Sequence, residues 1–201
     1  LQDLKAASLP ELDKPARLAV IGHPIVHSRS PQMHQPALDA GGIDVSYIRI
    51  DLSPEEFDEG IHRLIELDFI GCNVTIPHKE AAFRIADSHA LSSVDLGVCN
   101  TLAFRQKEIF GASTDGPGFG QAIREDFGID VADLKILILG AGGGAGRAIA
   151  HHCADESCQQ LILINRTLEK AQKLAEQLAT KLDDEYHLAG PSDRLIATDF
   201  G

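Results

Sequence analysis

No stretch of this 201-residue chain is apolar for long enough to cross a membrane, and no segment has the pattern of a secretory signal. Cations are scarce. Eighteen Lys and Arg stand against thirty Asp and Glu, a formal net charge of -12. A chain this acidic is repelled by phosphate backbones and anionic lipid, so nucleic acid and membrane surfaces are excluded as general partners. An anionic ligand must therefore be held by a local cluster of donors. Cysteine is sparse too: Cys72, Cys99, Cys153 and Cys158 form no CxxC pair and no secreted-scaffold spacing. Free thiols in a reducing cytoplasm are the expectation. His151-His152-Cys153 with Cys158 lacks the tight ligand pairing of structural zinc sites, and no metal is expected. No Met opens the chain, and Gly201 follows directly on the strand-like Leu195-Ile196-Ala197-Thr198. Both ends are expected to be cuts from something longer.

What is present is an α/β pattern. Hydrophobic residues make up 44% of the chain, enough for an ordinary core in one domain or two small ones. Leu1 to Ala16 is a polar lead-in with a weak helical pattern at Leu1, Leu4, Leu9 and Leu12. Strands are expected at Leu18-Ala19-Val20-Ile21, from Val45 to Ile50 and from Phe69 to Ile76. A hairpin is expected from Val98 to Phe104 and Ile109 to Ala112 about the polar turn Arg105-Gln106-Lys107-Glu108. Ser30-Pro31 reads as an N-cap followed by proline at the first helical position. Pro36 should make that element short or kinked. Ser53-Pro54-Glu55-Glu56 reads as a capping box before a helix with Phe57, Ile61, Leu64 and Ile65 on one face. A short helix with Ala82, Phe83 and Ile85 should follow Lys79, and another should run from about Pro117 to Phe127. Further strands are expected at Lys135–Leu139 and Leu161–Ile164, with a helix capped by Thr167 through Leu182, its buried face carrying Ala171, Leu174 and Leu178. Alternation at this spacing implies mostly parallel sheets in two α/β units. The expected divisions are a lead-in at 1–16, a first domain at 17–116, a connecting helix and linker at 117–133, and a second, incomplete domain at 134–201.

The second unit carries Gly140-Ala141-Gly142-Gly143-Gly144-Ala145-Gly146 after a strand and before a helix. Glycines let backbone N–H groups approach a pyrophosphate, and the helix N-terminus adds partial positive charge. As G-x-G-x-x-A it matches through Gly140, Gly142 and Ala145, the fingerprint of a Rossmann-like dinucleotide fold. At the end of the next strand stand Asn165-Arg166-Thr167 and then Lys170, where a carboxylate would hold a free ribose 2′-hydroxyl. A guanidinium there suits a 2′-phosphate, which favours NADP. The plainer alternative is that Arg166 is a solvated residue at a helix start.

The first unit gathers short polar side chains at strand ends. Ser28 and Ser30 are two hydroxyls before a helix, a cradle for a carboxylate or, alternatively, a loop residue and a cap. Asn73, Thr75 and Asn100 either bind ligand hydroxyls or satisfy local backbone groups. Lys79 is a catalytic cation or a surface lysine; Asp115, before Gly116, is its partner or a cap. Together they point to a polyhydroxylated substrate.

The set resembles the shikimate dehydrogenase family. The resemblance rests on Gly22-His23-Pro24-Ile25, on Ser28-Arg29-Ser30-Pro31-Gln32-Met33-His34, and on Asn73-Val74-Thr75-Ile76-Pro77-His78-Lys79. It extends through Cys99-Asn100-Thr101, Ser113-Thr114-Asp115-Gly116, the glycine loop and Asn165-Arg166-Thr167, in order, from about Arg17 onward. It implies a substrate domain followed by a partial NADP-binding Rossmann-like domain, and reversible NADPH-dependent reduction of 3-dehydroshikimate to shikimate in a cytoplasmic pathway to aromatic amino acids. By the same resemblance Ser28 and Ser30 would bind the substrate carboxylate, Asn73, Thr75, Asn100 and Asp115 the ring hydroxyls, and Lys79 with Asp115 would be the catalytic pair. Gly140 to Ala145, Asn165, Arg166, Thr167 and Lys170 would contact the cofactor.

Three departures matter. The family commonly has NTD where this chain has Ser113-Thr114-Asp115. The glycine loop is one residue longer than the usual GAGGAGRA, so a bulge at Gly144 or a neighbour is expected. The family's later strands and returning C-terminal helix are absent, so a chain ending at Gly201 is expected to bind weakly or not turn over. Leu1-Gln2-Asp3-Leu4 faintly resembles the junction in fusions with dehydroquinate dehydratase, making such a domain a candidate partner. The alternatives are a quinate-using relative accepting NAD or NADP, a non-catalytic NADP-binding module, and another lysine-dependent NADP enzyme such as a folate dehydrogenase.

Overall fold

A computed structural model describes residues 12–182 and 195–198. The helical pattern expected from Leu1 lies almost wholly outside the described residues. The chain divides into two compact units, the first ending at Ser113 and the second beginning at Thr114.

The first unit is built on a six-stranded sheet in the order β2-β1-β3-β5-β6-β4. Its strands are β1 (Ala16–Gly22), β2 (Ser46–Asp51), β3 (Gly71–Val74), β4 (Ser88–His89), β5 (Thr101–Arg105) and β6 (Glu108–Ala112). β1 runs parallel to both β2 and β3, whereas β5 is antiparallel to β3 and β6. The third strand is shorter than its apolar run, and Ile70 and Ile76, on either side of it, are exposed. The β5–β6 hairpin turns through Gln106 and Lys107, both with positive φ (51° and 74°), the handedness that fits a two-residue turn to twisted strands.

The described residues of this unit include the helices α1 (Ser30–Ala40), α2 (Phe57–Glu66), α3 (Lys79–Ile85) and the short α4 (Leu91–Val94). α2 buries Phe57, Gly60, Ile61 and Leu64, the spacing of one helical face. A Cβ at Gly60 would sit 2.5 Å from Leu52 Cδ1, so only glycine lets the helix approach the end of β2 this closely. The capping box is seen through its reciprocal half, Ser53 N–H donating to Glu56 Oε2 at 3.1 Å, with α2 beginning one residue later. Two expectations for α1 are corrected. Ser30 is the first helical residue and Arg29 occupies the cap position, because the Ser28 hydroxyl already accepts the Ser30 N–H at 3.3 Å. Of the short or kinked element expected at Pro36, the short alternative is set aside, since the helix runs eleven residues with Pro36 inside it.

The second unit contains α5 (Asp115–Phe127), a 3₁₀ turn (Val131–Asp133), β7 (Lys135–Leu139), α6 (Gly144–Asp155), β8 (Gln160–Ile164), α7 (Leu168–Leu182) and β9 (Leu195–Thr198). Its three strands are parallel in the order β7-β8-β9. α7 buries Ala171, Leu174, Leu178 and Leu182 against Leu161 and Leu163 of β8. Each such aliphatic side chain contributes about 1.5–3 kcal/mol on burial. All four cysteines are free and buried. Among the described residues no helix is long and apolar enough to cross a membrane.

Candidate active site

Parallel strands bring their carboxyl ends to one side of a sheet, where open α/β sheets place ligands. In the first unit this end carries the loop after β1, with Ser28 and Ser30, and the loop after β3, with Thr75 and Lys79. β5 is antiparallel to β3, so Asn100, just before β5, returns to the same end. The register sets Asn73 opposite Thr101, and Val74 N–H donates to the Asn100 carbonyl at 2.7 Å.

The two strand-end loops are pressed together. Thr75 N–H donates to Ile21 O at 2.8 Å and His23 N–H to Ile76 O at 3.0 Å. A Cβ on Gly22 would meet Thr75 Cγ2 at 2.7 Å and Ile25 Cδ1 at 2.8 Å, so glycine is required there. Lys79 is the first residue of α3; its carbonyl accepts Cys99 N–H at 2.9 Å, tying the helix start to the approach of β5. Ser28, Ser30, Asn73, Thr75, Lys79 and Asn100 are all half-buried, accessible to a ligand yet held by neighbours.

The polar side chains are linked. The Ser28 hydroxyl donates to Ser30 Oγ at 3.1 Å. The Tyr47 hydroxyl donates to Asn73 Oδ1 at 2.6 Å, Asn73 Nδ2 donates to Thr101 Oγ1 at 3.1 Å, and Thr101 Oγ1 donates to Asn100 Oδ1 at 3.1 Å. Burial pushes the Tyr47 hydroxyl well above its ordinary pKa, the neighbouring Cys72 adds to this, and a bond with Ser30 opposes it. The phenol is therefore a neutral donor at any physiological pH. Arg49 Nε donates to the Ser28 carbonyl at 2.6 Å and its terminal nitrogen to Gln32 Oε1 at 2.8 Å, fixing the serine loop to β2. Sequence reasoning passed over Tyr47, Thr101 and Arg49. A tyrosine or threonine inside a strand pattern reads as core, and the one available signal for Tyr47 was rarity, since the chain has two tyrosines.

In the second unit Asp115 opens α5, and the glycine loop opens α6. The loop N–H groups do not project outward as the motif suggests. Gly140 and Ala141 N–H both donate to Ile164 O (2.7 and 3.1 Å), Gly142 N–H to Asn165 Oδ1 (3.2 Å), and Gly143 N–H to Gly140 O (3.0 Å). Asn165 Nδ2 in turn donates to the Thr167 carbonyl at 2.8 Å, so this side chain braces the loop with both ends of its amide. The first bond into α6 is Arg147 N–H to Gly143 O at 2.8 Å. The N–H groups of Gly144, Ala145 and Gly146 precede it, and these are the helix-start donors suited to an anion. Gly144 is the first residue of α6. Gly140 has φ +78°, and a Cβ on Gly142 would lie 2.8 Å from Lys170 Cβ and 3.0 Å from Asn165 Oδ1. Arg166 is exposed just past β8, without a hydrogen bond or ion pair among the described residues. A glycine-rich turn, a helix start with three such N–H groups and an exposed guanidinium together fit a dinucleotide bearing a 2′-phosphate.

Comparison with known proteins agrees with this division. Residues 20–102 match the family described as the shikimate dehydrogenase substrate binding domain, and residues 121–198 the family described as shikimate / quinate 5-dehydrogenase. A shikimate dehydrogenase (NADP(+)) from Methanopyrus kandleri is 39% identical over 165 residues, covering 82% of this chain and 57% of its own length. Among solved structures, a shikimate dehydrogenase in complex with NADP+ superposes with a TM-score of 0.78 at 37% identity, over 84% of this chain and 57% of that one. Shikimate 5-dehydrogenase from Thermus thermophilus, in complex with NADP(H) and shikimate, gives a TM-score of 0.74 at 36% identity, over 82% and 61%. The chain thus spans little more than half the length of the curated relatives it matches.

Proposed function

The chain belongs to the shikimate dehydrogenase family, and from that premise we propose that it acts in the reversible NADPH-dependent reduction of 3-dehydroshikimate to shikimate. The observation that carries this reading is the grouping at one sheet end of paired serines, two asparagines, Thr75 and Lys79, with the serines bonded to each other and the asparagines bridged by Thr101. Short neutral donors and acceptors fixed in this way suit a ring bearing hydroxyls and one carboxylate.

Bound NADPH would supply the hydride. Ser28 and Ser30 would hold the substrate carboxylate, through hydrogen bonds strengthened by its charge. Asn73, Thr75 and Asn100 would bind ring hydroxyls and so orient the ketone. Reduction of a ketone leaves an alkoxide that needs a proton and a nearby cation; the Lys79 ammonium supplies both. Asp115 would orient the reacting hydroxyl and share its proton. For the cofactor, Gly144, Ala145 and Gly146 would bind the pyrophosphate, Asn165 and Gly142 would keep the loop in shape, and Arg166, with Lys170 near the start of α7, would read the 2′-phosphate.

The reading is tested by titrating the chain with shikimate, quinate, NADPH and NADH in a calorimeter, with absorbance at 340 nm followed when substrate and cofactor are combined. Binding of shikimate over quinate and of NADPH over NADH is the expected result. No binding of shikimate by the folded chain overturns the substrate, and preference for quinate with NADH replaces it with the quinate-using relative.

A further inference from the structure

Two hydroxyls carry no charge to set against a carboxylate, and the chain as a whole is acidic, with a formal net charge of -12. A cation stands behind the serine loop. Arg49, half-buried in β2, donates through Nε to the Ser28 carbonyl at 2.6 Å and through a terminal nitrogen to Gln32 Oε1 at 2.8 Å. Both acceptors are neutral. Among the described residues no carboxylate forms an ion pair with this guanidinium, which stays protonated at any physiological pH. Asp51, two residues along the same strand, turns its oxygens elsewhere: Oδ1 lies 2.6 Å from His23 Nδ1, and Oδ2 accepts the Ile25 N–H at 3.1 Å. A guanidinium has five N–H donors; Arg49 uses two, and three have no acceptor among the described residues. A half-buried cation without a counter-ion costs stability, and an arriving anion recovers that cost.

We propose that Arg49 is a specificity-determining residue of the serine loop: it holds the loop by the Ser28 carbonyl and supplies the positive charge that makes the paired hydroxyls of Ser28 and Ser30 choose a carboxylate over a neutral group. This rests on the reading that the two serines meet the carboxylate of shikimate. The charge is fixed to the backbone of Ser28 itself and acts at short range, whereas the acidity of the chain acts diffusely. The two pull salt dependence in opposite directions. Screening the diffuse acidity strengthens the binding of an anion; screening a local cation weakens it. Arg29, between the two serines, is the competing source of charge, but it is exposed and its charge is spent largely on water.

The test titrates the chain with shikimate, with its uncharged methyl ester and with cyclohexenecarboxylate, a ring acid without hydroxyls, followed by the backbone amide NMR signals of Ser28 and Ser30. Arg49→Gln keeps a donor for the Ser28 carbonyl and removes the charge. It should weaken shikimate about tenfold, leave the ester within about twofold, and reduce the loss of shikimate affinity as salt is raised. Arg49→Lys keeps the charge and should retain most of the preference for acid over ester. Arg29→Gln should change either affinity by no more than about twofold. A merely structural arginine would weaken acid and ester alike, and that result overturns the proposal. So does a preference lost in Arg29→Gln and kept in Arg49→Gln. Should Arg49→Gln fail to fold, Arg49→Met, which keeps the aliphatic stem, reads the same ratio of acid to ester. Cyclohexenecarboxylate binding at the two serines, lost in Arg49→Gln, without binding of shikimate upholds the charge and overturns the ligand. Serine signals unmoved by either acid overturn both.

Discussion

The ring of His78 stacks on Phe57 with centroids 4.7 Å apart, and its Nε2 donates to the Leu52 carbonyl at 2.7 Å. The residue before the proposed catalytic lysine is thus locked into the core beneath α2. Burial holds the His78 pKa below its ordinary 6.5; the bond to Leu52 opposes this, His23 adds to it and Asp51 opposes it. A depressed folded pKa means that the unfolded chain takes up the proton first. The stabilisation is complete above pH 6.5 and is lost as pH falls through the lowered value. Asp51, whose carboxylate is bonded to His23 at 2.6 Å and lies below its ordinary 3.8, weakens the fold only in stronger acid. Thermal melts should therefore show a first loss as pH falls below about 6.5. His78→Gln keeps a donor for Leu52 without titrating, and should remove that first loss. An equal loss in the variant would place its origin elsewhere.

In a protein of the family's full length, Lys79→Ala should lower kcat by about 10²–10⁴-fold while weakening shikimate far less, since the ammonium is assigned to proton transfer. Steady-state rates beside ligand titration make the comparison. An unchanged kcat would reduce Lys79 to its backbone role, the carbonyl that accepts Cys99 N–H.

Arg166→Ala should weaken NADPH by on the order of 1.5–3 kcal/mol and leave NADH nearly unaffected. Calorimetric titration of both cofactors separates the cases. Equal losses would show that Arg166 supports the loop and does not read the 2′-phosphate.

The two serines should separate on mutation. Ser30→Ala should raise the Kd for shikimate with little change in melting temperature. Ser28→Ala should do both, because the Ser28 oxygen also accepts the Ser30 N–H that opens α1. Melts beside titrations decide it; unshifted affinity in the double variant would sink the carboxylate cradle.

Gly142→Ala should destabilise the second unit by about 1–3 kcal/mol, since its Cβ would meet Lys170 Cβ at 2.8 Å and Asn165 Oδ1 at 3.0 Å. Denaturant unfolding would measure it. A neutral effect would mean that Asn165 gives way without loss of the loop.

Much of this was legible beforehand. Strands and long helices announce themselves by period, as in Phe57, Ile61 and Leu64 of α2, and the candidate residues stood in recognisable runs. The two-residue β4 and four-residue α4 are too short to carry a period. The start of α1 moved by one because the deciding oxygen belongs to Ser28 and not to the residue at the boundary. Tyr47 and Thr101 escaped because their roles depend on strand register, which pairs residues 28 positions apart. The interior bonding of the glycine loop depends likewise on Ile164 and Asn165, far along the chain.

That loop also divides the labour of cofactor choice. With the amides of residues 140 to 143 turned inward, the remaining donors at the start of α6 would, on the proposed reading, address a pyrophosphate, the part that both nicotinamide dinucleotides share. The part in which they differ would fall to Arg166 with Lys170, on a separate turn past β8 and the start of α7. Anchorage and discrimination are then independent characters, open to separate inheritance. On that reading a lineage would exchange one coenzyme for the other by rewriting the residues at 166 and 170, while the glycine loop persisted unaltered beneath them.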